Sequence, residues 1–347
     1  MRAIRRVTAT GATMLVLLSF GLQDAGAQGR QATPDEPYRI IGVVWRGETE
    51  VEDGFRAQLR QRGIPFEFEV KNLDLDRNNA PPFIEEIRQK QPDLVYTWGT
   101  GTTTSIVGRV EQENPGDYIR DIPGVFVLVA YPIEANIVEK FERPGRMVTG
   151  VSYLAPVDVQ LGAIKAYHDF KALAVIYDES AENSRINVEH LREAVPQVGM
   201  KLLEYRVPDN NEGRPDPGAL PELVQRARDD GADLLYMGPD SFVTRHSDVY
   251  TSSAIEAGLP TFSSTQAPLL NSRAMFGLVT DYFTVGRLAG LQAERILVDG
   301  LDPQTLPVGQ LARNKLWINM DVVHEVGLYP PLALMAVADF RDSPKTD

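Results

Sequence analysis

Asp93-Leu94-Val95-Tyr96-Thr97-Trp98-Gly99-Thr100-Gly101-Thr102-Thr103-Thr104-Ser105 is the stretch from which the fold is read. Leu94-Val95-Tyr96 has the length and polarity of the end of a buried strand, and Ile106-Val107-Gly108-Arg109-Val110 reads as the first turns of a helix. Two glycines and six hydroxyl side chains fill Thr97 to Ser105. A helix that starts this way directs free backbone N–H groups and a partial positive charge at whatever sits above it. That chemistry suits a small anion, with Thr102 or Thr103 capping the helix or facing a ligand. A capped loop that binds nothing has the same signature, so the rest of the chain decides.

Upstream, Arg39 to Trp45 (RIIGVVW) is a continuous apolar run, the mark of a strand buried on both faces. Thr49-Glu50-Val51-Glu52 fits a capping box, Val51, Phe55 and Leu59 share one helical face, and Gly63 closes that helix. Phe66 to Val70 is a second strand, Pro81-Pro82 opens a helix ended by Pro92, and Gly124 to Ala130 is a further strand. Strands alternating with helices at this spacing predict α/β architecture, with a parallel sheet covered on both faces.

The same order recurs. Ala172 to Tyr177 (ALAVIY) answers RIIGVVW, Asp233-Leu234-Leu235-Tyr236 answers Asp93-Leu94-Val95-Tyr96, and Leu259-Pro260 answers Ile122-Pro123. Helices are expected at Asn183 to Val195, from Pro221 to Asp230 and at Thr284 to Val298. Strands are expected at Lys201 to Val207, Leu306 to Val308 and Lys315 to Asn319, with a short helix at Val322 to Gly327. Landmark pairs 45/177, 93/233 and 123/260 lie 132 to 140 residues apart, which predicts two doubly wound lobes of one topology with a cleft between facing strand ends.

With 347 residues, 43% of them hydrophobic, the chain has material for two such cores. Arg2, Arg5 and Arg6, the apolar run Val7 to Leu22 and Ala25-Gly26-Ala27 read as a signal peptide over 1–27, cleaved near Ala27 to leave Gln28 first. Residues 28–37 read as a disordered lead-in. No cysteine is present, which excludes disulfides, thiol chemistry and an acylated cysteine anchor. The expected location is therefore the periplasm, free of any direct membrane anchor. The formal charge of −13 becomes −15 without residues 1–27, which carry three arginines and Asp24, and this argues against nucleic acid or anionic lipid as a partner.

Several short motifs then point one way. Arg143-Pro144-Gly145-Arg146-Met147-Val148-Thr149-Gly150-Val151-Ser152, Ile176-Tyr177-Asp178-Glu179-Ser180-Ala181-Glu182-Asn183-Ser184, Gly286-Arg287-Leu288-Ala289-Gly290 and Val326-Gly327-Leu328-Tyr329-Pro330 stand in this order. From about Tyr38 to Pro331 the chain resembles the substrate-binding proteins of bacterial ABC transporters, in the group with tryptophan- and tyrosine-binding members. Asp178 stands where that family commonly has Asn, and Gly101 where Pro is frequent. The resemblance implies the type I periplasmic-binding-protein fold, with three crossings between lobes near Ser152, Asp281 and Gln304. Lobe 1 would then comprise 38–152 with about 282–303, and lobe 2 153–281 with about 304–340. It further implies a monomer that captures a small solute by lobe closure and delivers it to an inner-membrane ABC permease, without a cofactor or metal.

By that resemblance, Thr100, Gly101, Thr102 and Thr103 hold a ligand's anionic end. Trp45 and Tyr177 end the first strands of the two lobes and are expected to flank a flat or apolar body, with Tyr131 and Tyr153 in support. Asp240 and Asp281 are candidate acceptors for an ammonium, though Asp240 at the start of a helix also reads as an N-cap. Asn183, Ser184, Ser241 and Tyr282 complete the candidate set. A sensory partner that docks on a receptor fits the same features. An exported enzyme fits them poorly: His168, His190, His246 and His324 are scattered, and no base-plus-nucleophile constellation is present.

Overall fold

The structure, a computed structural model, describes residues 30–112, 114–311 and 313–344. The signal peptide and the start of the lead-in expected from the sequence lie outside the described residues.

The first sheet is built from β1 (Tyr38–Val44), β2 (Phe66–Asn72), β3 (Leu94–Trp98), β4 (Gly124–Val129) and β5 (Val148–Ser152). Helices α1 (Glu50–Gln61), α2 (Ala80–Lys90) and α3 (Thr100–Ile106) connect them. Every residue of β3 and β4 is buried, Thr97 included, as strands covered on both faces require. Thr49 caps α1 in a complete capping box, its hydroxyl accepting from Val51 and Glu52 returning to the Thr49 N–H at 2.7 Å.

The second sheet repeats the plan. It comprises α4 (Val157–Tyr167), β6 (Ala172–Tyr177), α5 (Glu182–Ala194), β7 (Lys201–Arg206), α6 (Leu220–Asp229), β8 (Leu234–Met237), α7 (Ser241–Arg245), α8 (Ser247–Glu256), β9 (Thr261–Ser263), α9 (Gln266–Asn271) and β10 (Phe276–Val279). The chain then returns to the first sheet through α10 (Tyr282–Leu297) and β11 (Gly309–Gln310). It ends on the second sheet with β12 (Lys315–Asn319), α11 (Met320–Val326), α12 (Leu332–Met335) and β13 (Asp339–Arg341).

The strand orders are β11-β5-β4-β3-β1-β2 and β13-β12-β10-β9-β8-β6-β7. Within each, the first strand lies between the second and third, so the order reverses at β1/β3 in one sheet and at β6/β8 in the other. All pairings are parallel except β10 with β12. One continuous apolar core serves the first sheet, and two cores cover the faces of the second.

Helix α10 lies against α1 at backbone contact distance. A Cβ at Gly286 would stand 1.9 Å from the Val51 carbonyl oxygen, and one at Gly54 2.0 Å from that of Phe283, so only glycine fits at either point. The glycine that opens the Gly286-Arg287-Leu288-Ala289-Gly290 motif is thus a packing residue.

Three expectations need correction. Helix α3 begins at Thr100 and ends at Ile106; Ile106 to Val110 are its end and exit, with Gly108 at φ 69°. The hydroxyl run is itself the helix. The strand expected at Leu306 to Val308 lies at Gly309–Gln310, because Leu306 and Val308 face the first core and leave pairing to the next residues. The third crossing, expected near Gln304, comes after Gln310, since β11 still pairs with β5 of the first sheet.

Candidate ligand-binding cleft

In open α/β sheets ligands bind outside the carboxyl ends of the strands, at the point where strand order reverses. In the first sheet that point lies between the exits of β1 and β3, where Trp45, Arg46, Trp98 and Gly99 meet. A larger surface depression of about 440 Å³, lined by Arg30, Asp35 and Asp93 among others, lies at the opposite, amino ends of β1 and β3. That depression is at the end of the sheet opposite the strand exits, and there Arg30 pairs with Asp93 at 2.8 Å.

A chain of hydrogen bonds fixes the ring of Trp98. Its Nε1 donates to the Thr49 hydroxyl (3.3 Å), that hydroxyl donates to Glu52 (3.0 Å), and the buried Tyr96 hydroxyl donates to the other Glu52 oxygen (2.5 Å). Burial of Glu52 raises its carboxyl above the usual range, and burial likewise drives the Tyr96 phenol well up. The guanidinium of Arg46 lies over Trp98, 5.3 Å from the ring centroid. Trp45 stands over Gly101: a Cβ there would be 3.7 Å from the Trp45 ring and 3.6 Å from the Arg77 guanidinium.

The hydroxyls of α3 divide into two sets. Thr103 donates to the Gly99 carbonyl (2.8 Å) and shares a 2.9 Å bond with Thr97, Thr104 donates to Thr100, and Ser105 donates to Gly101. Thr100 and Thr102 have buried hydroxyls with no hydrogen-bond partner. Of the four residues expected to hold an anion, Thr103 is committed to the helix, and Thr100 and Thr102 are unspent. No side chain caps the helix; Gly99, at φ 83°, takes the cap position instead.

In the second sheet the expected contacts turn inward. The Asp240 carboxylate accepts from Val243 N (2.9 Å), Asp178 N (2.8 Å) and the Ser184 hydroxyl (2.7 Å), and it caps α7. Burial pushes its carboxyl up to about 6 despite these donors. Asn183 donates to the Pro239 carbonyl. Asn183, Ser184 and Asp240 therefore tie together the loops at the β6/β8 reversal, and Ser241 opens α7 half-buried beside them. Asp281 caps α10, accepting from the Thr284 N–H and hydroxyl at 2.8 Å each, with Lys315 at 3.7 Å. Both carboxylates expected to receive an ammonium are thus spent on helix caps. Tyr177 is 2% exposed and packs in the core, its hydroxyl accepting from Arg206 at 3.3 Å; it does not mirror Trp45.

Between the sheets the contacts are direct. The Tyr131 hydroxyl donates to Asn187 Oδ1 on α5 (2.7 Å), and within the second sheet's own unit the Tyr236 hydroxyl lies 2.7 Å from Gln160 Oε1 and 3.2 Å from the same Asn187 oxygen. The ring of His190 meets Tyr131 edge-on at 4.7 Å. Arg109 forms a two-pronged ion pair with Glu182, both bonds 2.8 Å, while also holding the Ala135 carbonyl. At the crossings, Tyr153 and Tyr282 meet edge-on at 6.2 Å, and the Tyr282 N–H donates to Gln266 at 2.6 Å. Burial pushes the Tyr282 phenol up to about 12.

A cavity of about 190 Å³ remains between the sheets, lined by Arg46, Glu48, Thr49, Glu50, Ala267, Leu270, Asn271 and Tyr282. Of the residues expected from the sequence, Tyr282 lines it directly and Tyr153 stands behind Tyr282. The sequence places Arg46 within Trp45 to Glu48, at a strand end that faces a ligand, without giving it a role, and the inter-sheet bonds of Arg109, Glu182 and Asn187 escape it. Arg46 directly follows a strand-ending tryptophan, and that position was the available signal. Among the described residues no group of histidines and carboxylates is placed to hold a metal, and no helix is long and apolar enough to cross a membrane.

Comparison with known proteins bears on this geometry. A structure of an ABC domain with L-Trp from Streptococcus pneumonia superposes with a TM-score of 0.76 at 20% identity, over 88% of this chain and 99% of that one. A conserved domain protein from Vibrio cholerae gives 0.76 at 22% identity, over 87% and 99%. Both share the type I periplasmic-binding-protein fold. A tyrosine-binding protein of Clostridioides difficile is 25% identical over 325 residues, covering 90% of this chain and 88% of its own. The family model for ABC transporter substrate binding proteins matches residues 44–340. The chain belongs to the ABC transporter substrate binding protein family.

Proposed function

We propose that this chain captures an aromatic amino acid, or a close aromatic carboxylate, between its two lobes and delivers it to an ABC permease in the inner membrane. The observation that carries the reading is the cavity between the two sheets, lined by Arg46 and Glu50 on one side and by Ala267, Leu270 and Tyr282 on the other, with the Trp98 ring under Arg46 and the Tyr153 ring edge-on to Tyr282. Rigid rings of this kind offer apolar contact at small entropic cost. The relatives named for tyrosine and bound to L-Trp support the same ligand class. The lobes are the first sheet with α1–α3, α10 and β11, and the second sheet with the remaining helices. Lobe closure traps the ligand, and the direct Tyr131–Asn187 and Arg109–Glu182 bonds belong to the closed form. Export to the periplasm with cleavage near Ala27 completes the reading; the mass of the protein recovered from a periplasmic extract checks it.

A thermal-shift panel of L-tyrosine, L-tryptophan, non-aromatic amino acids and nucleosides tests the ligand class. At a hundredfold excess over Kd a bound ligand stabilises the fold by about 2.7 kcal/mol. The two aromatic amino acids should shift the transition and the others should not. A shift by nucleosides alone would contradict the proposal.

A further inference from the structure

The aromatic rings proposed for the cleft suit a flat body but leave the polar end of a ligand without a partner. The carboxylates expected to serve an ammonium, Asp240 and Asp281, are both consumed by helix caps. The helix start at α3 offers two free hydroxyls but no full charge. One side chain at the strand-order reversal does carry an unspent charge. Arg46 has its Nε buried with no hydrogen-bond partner, and no ion pair forms at its guanidinium among the described residues. Glu48, two residues on, is taken by Arg56 at 2.5 Å.

A half-buried guanidinium with an orphaned N–H is unfavourable, because a desolvated donor on a charged group forfeits more than a neutral one. The rest of the site holds Arg46 in place all the same. Its plane lies over Trp98, whose ring is itself fixed through Thr49, Glu52 and Tyr96. Arg46 lines the cavity with no carboxylate paired to it among the described residues, and a guanidinium can meet a planar anion with two parallel bonds. Glu50, at the first turn of α1, lines the same cavity, and Glu50 and Arg46 do not pair with each other. The cavity therefore presents one positive and one negative group, an amide at Asn271, and an apolar side made by Ala267, Leu270 and Tyr282. Its volume of about 190 Å³ lies below the roughly 300 Å³ at which drug-sized pockets begin, which suits the head group of one small solute.

We infer that Arg46 receives the ligand's α-carboxylate and Glu50 its α-ammonium, so that the cavity reads the zwitterionic head of an amino acid. This rests on the proposed function and names the residues that read the ligand's charges. Arg46 supplies the net attraction, since Glu50 is exposed and its charge is screened by water.

Calorimetric titration of the mature protein with L-tryptophan, L-tryptophanamide and indole-3-propionate separates the two contacts. The wild type should bind the amino acid at least about 10-fold more tightly than the amide. Arg46→Met should weaken L-tryptophan by about 10- to 100-fold, the usual range for a lost charge-assisted contact, and should leave the amide within about 3-fold of the wild type. Glu50→Gln should weaken L-tryptophan by about 3- to 10-fold without weakening indole-3-propionate. Arg46→Gln, which keeps a polar head in the gap, replaces Arg46→Met if the latter fails to fold.

The inference is overturned if Arg46→Met keeps the ratio of acid to amide affinity, for Arg46 would then only cover Trp98. If the wild type binds neither L-tryptophan nor L-tyrosine, the proposed function fails separately. Arg46 is then judged on indole-3-propionate and phenylpyruvate: binding lost in Arg46→Met upholds its role, and no binding of either by the wild type overturns it.

Discussion

Replacing Gly286 by alanine should destabilise the protein although alanine is the better helix former. The added Cβ would meet the Val51 carbonyl oxygen at 1.9 Å, the Val51 carbonyl carbon at 2.8 Å and the Phe55 nitrogen at 2.8 Å. All three are backbone atoms, so no rotamer change relieves the overlap. Restoring an ordinary contact of 3.4 Å requires α1 and α10 to part by about 1.5 Å. That movement would loosen Val51, Phe55 and Leu59 on one helix and Val285, Ala289 and Ala293 on the other, all of them fully buried. Overpacking of this kind costs about 1–3 kcal/mol, and backbone contacts put the change at the upper end. Against it stands roughly 1 kcal/mol of helix propensity gained. A net loss of about 2 kcal/mol is therefore expected, read as a lower urea midpoint at an unchanged slope. Gly162 is the matched control. It lies exposed in α4 with nothing within 4 Å of an added Cβ, so Gly162→Ala should gain about 0.5–1 kcal/mol. Gly286→Ala with wild-type stability or better would refute the packing assigned to the two helices.

Three further outcomes follow from the same geometry. Thr102→Val removes a buried hydroxyl without a partner and should leave stability unchanged or higher, whereas Thr103→Val loses the bonds to Gly99 and Thr97 and should cost about 1–2 kcal/mol by urea unfolding; equal effects would contradict the division of the α3 hydroxyls. Glu182→Gln breaks the bidentate bond to Arg109 across the lobes, so the ligand-free protein should open, with a larger radius of gyration in X-ray scattering and ligand affinity lowered by about 5- to 30-fold; an unchanged radius and affinity would count against the pair as a closing contact. Asp240 ionises near 6 when folded against 3.8 as the ordinary value, so the folded state binds the extra proton. Its contribution to stability should therefore rise as pH falls through about 6 towards 4, so in urea melts wild type should gain stability relative to Asp240→Asn over that window; a loss relative to that variant would reverse the assignment.

Much of the architecture was legible because its signals are local and continuous. The buried strands β1, β3, β4 and β6 are unbroken apolar runs, and the Thr49 box fixes the start of α1 from sequence alone. The repeated Asp-Leu-x-Tyr announced the second sheet. The site was less legible, because its residues depend on what lies opposite them. Thr103 and Thr104 look like loop hydroxyls until their bonds to carbonyls one turn back are seen, which let a low-propensity run stay helical. Asp240 carries both a cap and a ligand reading in sequence and Asp281 only a ligand reading, and their N–H donors show both as helix caps. Tyr177 occupies the position equivalent to Trp45 by repeat, but its side chain goes into the core. Arg46 gave no motif at all; its meaning lies in the absence of a partner, which only the folded neighbourhood reveals.

Titration of L-tyrosine into the mature protein by calorimetry, at two temperatures, tests the central claim most directly. Capture between closing lobes predicts saturation at one ligand per chain and a negative heat-capacity change from buried apolar surface. No saturable heat with L-tyrosine or L-tryptophan at either temperature would contradict it.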